Sequence, residues 1–398
     1  MKNEKYKMHK LQYRIRHGIL VPGLMFLVIL CGMPSCIEPF TADTGDEPDL
    51  LSIEASLIKG NPYQKISITR TTSLGNPFFL PVYNCIVQIE DEESNVFSFT
   101  QGSGGSYFCV IPDDQLIVGR DYRVRVVTPE GEEYESEFQT LQPGVPVDSV
   151  YYIRESSVDP FTGDELDGLQ FYLDVTAPDT LSRFFRWRLE ETYEYTSAGP
   201  IDFYYMDFSL TPVPTEDKWA LYRCWITQEI EKIFLSNTVN IELNEKKQIP
   251  LQYISTETDR LRIKYSLLVS QFSVDEQTYR YFEQNKTATE GDGSLYTRQP
   301  EQPITNICNV NDSEARVIGY FWTSTVTKKR IFVKRPDELD VDINFCAVAP
   351  FDYEADKDGP FPMPIMYDKA TNIRYTGAIY CFDCTKRGGL LTPPSFWE

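Results

Sequence analysis

The sequence predicts an all-β protein, with an N-terminal β-sandwich followed by a larger β-rich domain that carries a short helical insertion. Two observations predict this class. From Leu50 onward, short segments alternate apolar and polar residues with a period of two, which is typical of half-buried strands. Turn residues separate these segments about every 8 to 12 residues, the spacing of a sandwich.

The first 36 residues are typical of a lipoprotein export signal. Six Lys and Arg residues precede an apolar run from Ile19 to Leu30, and small residues then lead to Cys36. This run is shorter than the about 20 apolar residues of a membrane-spanning helix, which favours a cleaved signal. We therefore predict a signal peptide at residues 1–35 and lipidation of Cys36. The alternatives are an ordinary secretory signal cleaved nearby, or Cys31 as the lipidated residue.

Residues 36–48 predict an acidic tether, because they are rich in Asp, Glu, Pro and Gly and nearly free of apolar side chains. An acidic run directly behind a lipidated cysteine also resembles the signal that sends lipoproteins of the Bacteroidota to the outer face of the outer membrane. A plain solvated linker is the alternative. The expected location is therefore the outer membrane, with a lipid anchor and exposure at the cell surface.

Histidine is confined to the predicted signal peptide, where His9 and His17 are the only two in the chain. The mature protein then has no imidazole, which excludes Ser-His-Asp and Cys-His catalysis and every metal site that needs a histidine ligand. Carboxylate, lysine and tyrosine chemistry remain. We predict no cofactor, no catalytic residue and no enzymatic activity.

The predicted mature protein is strongly acidic. Cleavage removes six cations and one anion, so the formal charge changes from −21 to −26. Such a surface repels phosphate backbones and anionic headgroups. We therefore expect no nucleic-acid partner, and no membrane contact beyond the lipid anchor.

Residues 49–142 are predicted to form the first domain, an immunoglobulin-like or transthyretin-like sandwich. Its expected strands include a hairpin that turns at residues 91–95, and the sequence Pro143-Gly144-Val145-Pro146 marks its boundary. The predicted strands lie at residues 51–55, 65–69, 86–90, 96–100, 107–110, 122–126 and 134–138.

Residues 147–398 are predicted to form the second, β-rich domain. Strand-like runs occur at residues 169–175, 184–189, 261–269 and 316–322. One helix is expected near residues 273–288, because Ser273 and Glu276 have capping-box spacing and Tyr279 and Phe282 follow with helical period. Its aromatic face is interpreted as packing on a sheet, with a binding surface as the alternative.

Seven cysteines follow Cys36, and an exported chain meets an oxidising compartment. Cys85 and Cys109 lie in predicted neighbouring strands of the first sandwich and are expected to pair. Cys381 and Cys384 are expected to pair with two of Cys224, Cys346 and Cys308, although a zinc knuckle or a redox pair would share their spacing. The odd number leaves one free thiol.

Four segments of the second half carry a family resemblance: residues 222–225, residues 265–273, residues 319–321, and the ending from Cys381 to Trp397 with its Cys-Phe-Asp-Cys and Pro-Pro-Ser-Phe-Trp motifs. Together they resemble the domain of unknown function 4249 (DUF4249) family of Bacteroidota lipoproteins. Cys308 departs from the family's usual Gly-Asn-Ile pattern and is the best candidate for the free thiol. The resemblance implies an accessory role beside a TonB-dependent outer-membrane receptor, and implies no catalytic residue.

Two acidic, glycine-containing loops resemble calcium loops in composition. Asp352, Asp356 and Asp358 lie in one of them, and residues 159–168 form the other. Neither has the ligand spacing of an EF-hand, so a solvated acidic turn is the alternative. We predict no metal site beyond this calcium hypothesis.

An aromatic segment supplies the candidate ligand contacts, which are Phe203, Tyr204, Tyr205 and Trp219. Tyr and Trp rings on loops provide contact area at low entropic cost. A strand that buries Phe203 and Tyr205 is the alternative.

The sequence therefore predicts a non-catalytic, surface-exposed lipoprotein that captures a ligand as partner of a TonB-dependent transporter. The ligand itself is not identified by the sequence. Two other functions remain open: a carboxylate-dependent hydrolase of the cell surface, and an adhesive or assembly scaffold.

Overall fold

The computed structural model describes residues 50–72, 79–159, 161–290, 303–341 and 346–397. The predicted signal peptide, Cys36, the acidic tether and both histidines lie outside these ranges. Within the described ranges, no helix combines the length and the apolar character needed to cross a membrane.

The described residues are mostly β-strand with one α-helix, which confirms the predicted fold class. The helix is α1 (Glu276–Glu290). The strands, in chain order, are β1 (Leu51–Lys59), β2 (Tyr63–Arg70), β3 (Leu80–Pro81), β4 (Ile86–Asp91), β5 (Val96–Ser98), β6 (Thr100–Gln101), β7 (Ser106–Val110), β8 (Asp121–Val127), β9 (Glu133–Ser136), β10 (Gln139–Thr140), β11 (Ser149–Val158), β12 (Glu165–Thr176), β13 (Phe184–Thr196), β14 (Phe203–Met206), β15 (Ser209–Pro212), β16 (Arg223–Asn237), β17 (Glu245–Ser255), β18 (Lys264–Val274), β19 (Ile307–Asn309), β20 (Val317–Lys334), β21 (Ala349–Pro350), β22 (Met363–Asp368) and β23 (Ile373–Thr376).

The largest sheet has nine strands in the order β16-β13-β18-β20-β1-β2-β7-β6, with β3 also paired to β2. Its long strand β20 pairs in parallel with β1 over its first half and antiparallel with β18 over its second half. Gly319 lies opposite Ile53 at φ +109°, and a Cβ there would collide with the Ile53 carbonyl oxygen. Glycine is therefore required at the point where β1 joins this strand.

A six-stranded sheet, β19-β9-β8-β4-β5 with β10 on β8, packs against the β1 and β2 part of the large sheet. The alternating residues of these strands fill the shared core, in which Ile53, Ile68, Ile89 and Tyr122 are fully buried. Strands β19 and β20 come from the predicted second domain and complete the two sheets of the first. The predicted domain boundaries at residues 142 and 147 stay a prediction.

A three-stranded sheet, β11-β12-β17, covers the β13 and β18 part of the large sheet. Phe171 from this sheet packs against Tyr265 of β18, with ring centroids 5.4 Å apart, and Trp187 of β13 lies in the same core. The inner face of the large sheet is therefore covered along its length by two smaller sheets.

The fourth sheet has five strands, β15-β14-β22-β23-β21, and the chain that follows it is held by two disulfides. Cys224 bonds to Cys384 with 5.7 Å between Cα atoms, and Cys346 bonds to Cys381 with 5.3 Å between Cα atoms. Both distances lie within the usual disulfide range of about 4.4 to 6.8 Å. This confirms the prediction that Cys381 and Cys384 pair with two of the three named cysteines.

The predicted bond between Cys85 and Cys109 is not formed, because the two residues belong to different sheets. Cys109 lies in β7 of the nine-stranded sheet, and Cys85 directly precedes β4 of the six-stranded sheet. Both thiols are free, and burial raises the pKa of each. Cys308 is free and exposed, as expected for the family-atypical cysteine, so three described cysteines are unpaired.

The predicted helix is present, but its N-terminus differs from the predicted capping box. The N–H of Thr278 donates to Asp275 Oδ1 at 2.7 Å, so Asp275 caps the helix. Ser273 lies in β18 opposite Phe185 and is fully buried. Ser273 therefore belongs to strand β18, and the helix begins only after it.

Candidate functional site

The outer face of the nine-stranded sheet carries a row of charged side chains. Arg186, Arg188 and Glu190 alternate along β13 with buried hydrophobic residues, because neighbouring residues of a strand point to opposite faces. Arg188 pairs across to Ser270 of β18, which pairs across to Lys328 of β20. A groove of about 170 Å³ lies over this row, and we call it the sheet-face groove. Its lining includes Ile58, Asn61, Arg188, Glu190, Glu229, Leu268, Ser270, Phe272, Val326 and Lys328.

The groove is bounded by α1 at one end and by the C-terminal segment at the other. On α1, Phe282 packs edge-on against Trp322, with ring centroids 5.4 Å apart. At the opposite end, the Phe396 ring covers Arg330, whose Cζ lies 3.5 Å from the ring centroid. Trp397 packs beside it against the outer face of β20. The open part of the face is therefore the short stretch between two aromatic contacts.

Arg186 lies at the α1 end, enclosed by aromatic rings. Its Cζ is 4.0 Å from the Phe282 ring centroid and 5.2 Å from the Trp322 ring. Its Nε and Nη1 atoms are buried and have no hydrogen-bond partner among the described residues. Burial, together with the nearby charge of Arg188, lowers the pKa of Arg186 to about 9, so the side chain is still charged at pH 7.

The energetics of Arg186 are unfavourable without a further partner. A buried donor without a hydrogen bond costs about 1 to 3 kcal/mol. A cation–π contact returns about 0.5 to 2 kcal/mol, which offsets only part of the cost of two such donors. The ring contacts therefore offset only part of the cost of burying these two nitrogen atoms of Arg186.

Arg188 and Lys328 are the two cations that line the groove itself. None of the described residues forms an ion pair with either side chain. Adjacent strands lie about 4.8 Å apart, so their Cα atoms are about 10 Å apart, with the Ser270 hydroxyl between them. Arg188 also leans toward Phe272, whose ring centroid is 5.7 Å from its Cζ. This spacing lets the two long side chains converge on one small anionic group, with Arg188 able to bind it through two hydrogen bonds.

The next positions along the groove are acidic. Glu190 of β13 lies directly opposite Glu229 of β16. Arg330 donates to Glu190 Oε1 at 2.9 Å and to Ser266 Oγ at 3.0 Å. Glu229 is exposed, and no described residue forms an ion pair with it. Glu229 nonetheless interacts electrostatically with Arg186 and Arg188, so the groove combines a carboxylate with nearby cations that have no ion-pair partner among the described residues.

The four predicted ligand-contact aromatics do not form one surface. Tyr205 is fully buried and packs edge-on against Phe351, with ring centroids 5.0 Å apart. This corrects the expectation of an exposed platform at Tyr205, because β14 pairs with strands on both sides and turns that ring inward. Phe203 and Tyr204 are half-buried, whereas Trp219 is 56% exposed. Ligand contact by these three stays a prediction.

The predicted calcium loop at Asp352 is held together by hydrogen bonds within the turn. Asp352 Oδ1 accepts from the N–H groups of Glu354 and Ala355, and Asp356 Oδ2 accepts from the N–H of Asp352. Asp358 takes part in none of these three hydrogen bonds. No group of three or more His, Cys, Asp or Glu residues is arranged to hold a metal in the described part of the chain. The structure therefore gives the calcium hypothesis no support.

Sequence reasoning missed the sheet-face groove. Arg188 and Lys328 are far apart in the chain and become neighbours only through β18. One local signal was present, the alternation Phe184-Phe185-Arg186-Trp187-Arg188-Leu189, in which arginines occupy one face of a strand whose other face is apolar. Two cations on the outer face of a predicted strand were not enough to indicate a groove.

Comparison with known families gives one match. A family model described as "Domain of unknown function (DUF4249)" matches residues 37–330, which include every polar residue of the groove but not the C-terminal segment that bounds it. No curated protein matches the chain.

Proposed function

The chain belongs to the DUF4249 family, whose description assigns no function, and from this premise we propose that it is a non-catalytic binding protein. The sheet-face groove binds the carboxylate of a small ligand. Arg188 and Lys328 neutralise that carboxylate, and Ser270 donates a hydrogen bond to it. The observation that carries this proposal is the pair of cations in the groove lining, Arg188 and Lys328, neither of which has an ion-pair partner among the described residues. Arg186, which also lacks such a partner, lies beside them at the α1 end.

The charge of the whole protein makes this cation set more informative. A chain with a formal charge of −21 has an excess of carboxylates to pair with its basic side chains. Arg330, one row away on the same strand as Lys328, does pair with a glutamate. Adjacent cations that have no ion-pair partner among the described residues of such a chain favour a bound anion as their partner.

The size of the groove limits what it holds. Pockets that enclose drug-sized ligands measure about 300 to 1,000 Å³, and this groove measures about 170 Å³. It therefore encloses a carboxylate and its neighbouring atoms, while the rest of the ligand extends over the open face. Leu268 and Val326 in the floor give that part of the ligand an apolar contact.

The carboxylate preference is testable with matched ligands. Isothermal titration of the full chain in detergent compares glucuronate with glucose, and N-acetylglycine with its amide. We expect binding of both acids and at least tenfold weaker binding of their neutral partners, since a charge-assisted hydrogen bond contributes about 1.5 to 3 kcal/mol. Arg188→Met and Lys328→Met should each weaken acid binding about tenfold.

Lys329→Met is the matched control, because Lys329 neighbours Lys328 on β20 but points to the opposite face and donates to the Asp148 carbonyl oxygen. Equal binding of acids and neutral partners, or equal loss in the Lys328 and Lys329 variants, would contradict the proposal.

We also propose that the protein acts as a lipid-anchored accessory of a TonB-dependent receptor at the cell surface. The export signal ending at Cys36 and the acidic tether support this location, and the family resemblance supports the partner. The test is a pull-down of the tagged lipoprotein from mildly solubilised outer membranes, with the co-purifying proteins identified by mass spectrometry. A stoichiometric receptor is the expected result, and recovery of the lipoprotein alone would argue against a stable complex.

One observation favours hydrolysis as a second function. Glu190 and Glu229 are directly opposed in the groove, and paired carboxylates hydrolyse glycosidic bonds without histidine. Against it, Glu190 is already engaged by Arg330, which leaves Glu229 as the only free carboxylate of the pair. Turnover of aryl glycosides that is lost in Glu229→Gln would favour this function over binding alone.

A further inference from the structure

A second cavity, of about 210 Å³, lies at the open edge of the sandwich between β16 and β17. Its wall includes the hydrophobic residues Trp187, Phe234 and Ile249, which belong to the large core. Its polar lining includes Lys246 and, from α1, Lys286. This cavity is separate from the sheet-face groove, because Trp187 points to the inner face of the sheet and Arg188 to the outer one.

The two strands that flank this cavity, β16 and β17, both pair irregularly with their neighbours. The β13–β16 register shifts between Trp187 and Leu189, and the β12–β17 register shifts between Leu173 and Val175. Near the second shift, Gln248 adopts φ +51°, and its N–H donates to Asp174 Oδ1 at 2.9 Å. Bulges often occur next to functional sites, where they change the direction of a side chain. A non-glycine residue such as Gln248 stays in the left-handed region only where the surrounding structure holds it there.

Lys246 is the charged group of this cavity. Its Nζ donates to the buried hydroxyl of Ser236 at 2.7 Å, and no described residue forms an ion pair with it. Its neighbour Lys247, by contrast, points away and pairs with Glu245 and Asp148. Lys286 adds a second cation, held only loosely by Glu290 at 3.9 Å. A half-buried ammonium beside an apolar wall favours an anion whose body is hydrophobic.

We infer that this cavity binds a small carboxylic acid with a single ring or a short branched chain. The carboxylate takes the remaining hydrogen bonds of Lys246, and the apolar body lies against Leu235 and Pro250, the more accessible apolar residues of the lining. The volume, about 210 Å³, is below that of drug-sized pockets, which measure about 300 Å³ or more. The inference does not depend on the sheet-face groove or on the proposed partner.

The test is isothermal titration of the full chain in detergent with phenylacetate, and with phenylacetamide as the uncharged analogue. We expect phenylacetate to bind at least tenfold more tightly than the amide, because only the acid places a negative charge opposite the Lys246 ammonium. Lys246→Met should lower phenylacetate affinity at least tenfold. Lys286→Met, at the rim, should lower it about threefold, because solvent weakens the effect of an exposed charge.

Lys247→Met is the control, because it removes the same charge one residue away and outside the cavity. The titrations are made in the Arg188→Met background, which weakens the carboxylate site of the sheet-face groove, so that the remaining phenylacetate binding reports on this cavity. Equal affinity for the acid and the amide would overturn the inference, as would no measurable binding of the acid at millimolar concentration. In the Arg188→Met background, unchanged phenylacetate affinity after Lys246→Met, or a loss that follows Lys247→Met equally, would overturn it as well.

Discussion

The two faces of β13 differ in how their charged side chains are paired. On the inner face, Phe185, Trp187 and Leu189 are at most 1% exposed and lie in the main core, followed by the buried carboxylate of Glu191. On the outer face, the arginines at positions 186 and 188 have no ion-pair partner among the described residues. One strand thus supplies both core and groove: its inward-facing residues contribute to stability, and its outward-facing residues are the ones that we propose for binding.

Glu191 shows how the inner face holds a buried charge. Its Oε1 accepts from Gln228 Nε2 at 2.6 Å and lies 3.1 Å from Arg260 Nε, and its Oε2 accepts from the Tyr265 hydroxyl at 3.0 Å. A buried charge is tolerated when paired and hydrogen-bonded in this way. Arg186 is the opposite case, because two of its buried nitrogen atoms have no such partner in the described part of the chain.

The largest expected effect comes from the inner face. Phe185→Ala should lower the free energy of unfolding by about 3 to 5 kcal/mol, because it removes a fully buried ring and leaves a cavity. Arg188→Ala, on the opposite face, should change it by no more than about 0.5 kcal/mol. Denaturant unfolding at pH 7 with intact disulfides measures both. Similar losses in the two variants would contradict the division of roles.

The second effect depends on pH. Burial and Glu191 raise the pKa of Tyr265 well above its usual 10.0. Above pH 10 the unfolded chain therefore loses this proton while the folded protein keeps it, so stability is full below pH 10 and falls above it. The expected slope from this group is about 1.4 kcal/mol per pH unit.

Tyr265→Phe should remove that part of the slope between pH 10 and 12, while costing about 1 to 3 kcal/mol at pH 7 because Glu191 loses a donor. Tyr63→Phe, at a residue 67% exposed, is the control. Denaturant unfolding across this pH range measures the slope. An unchanged slope in Tyr265→Phe would show that its proton does not contribute.

The third effect has the opposite sign. Arg186→Met should raise the free energy of unfolding by about 1 kcal/mol, because it removes two buried unpaired donors and keeps an apolar contact with Phe282. The same variant should weaken carboxylate binding in the groove. Arg183→Met is the contrast: Arg183 pairs with Asp179 and donates to two carbonyl oxygens, so its loss should destabilise. If both variants are less stable than the wild type, Arg186 contributes to folding stability as Arg183 does.

The smallest effect concerns the C-terminal end of the outer face. Phe396→Ala should lower the free energy of unfolding by about 0.5 to 1 kcal/mol, since it removes one cation–π contact with Arg330. It should also lengthen the open groove, so longer acids gain affinity relative to acetate. Phe161→Ala, at a residue 96% exposed, should change neither quantity. Titration with acids of increasing length detects this change in affinity. If the affinities depend on acid length in the same way in Phe396→Ala and the wild type, the C-terminal segment does not limit the groove.

Much of the secondary structure could be predicted from local pattern. The period-two runs at residues 51–55 and 184–189 lie within β1 and β13, and the hairpin turn at residues 91–95 joins β4 to β5. The helix near Tyr279 was predicted, but its cap was wrong because a capping-box match says nothing of whether β18 continues through Ser273. Strands β16 and β17 were missed, since bulges interrupt their alternation.

The candidate sites were less predictable than the strands. The aromatic residues of 203–208 were conspicuous in sequence, yet Tyr205 is buried in a small sheet. Arg188 and Lys328 were inconspicuous, yet the structure places them in one row on either side of Ser270. Residue type alone does not reveal which side chains remain without a partner, because partners come from other strands.

The sequence by itself determined the fold class, the alternation that gives β13 one apolar and one charged face, and the pairing of Cys381 and Cys384 with distant cysteines. Only the tertiary structure decided which strands are neighbours, and with them both cavities and the choice of Cys224 for Cys384. The physical reason is that these properties depend on residues at different separations along the chain. Side-chain alternation is a property of consecutive residues, whereas strand order depends on the burial of whole sheet faces against each other, summed over the chain.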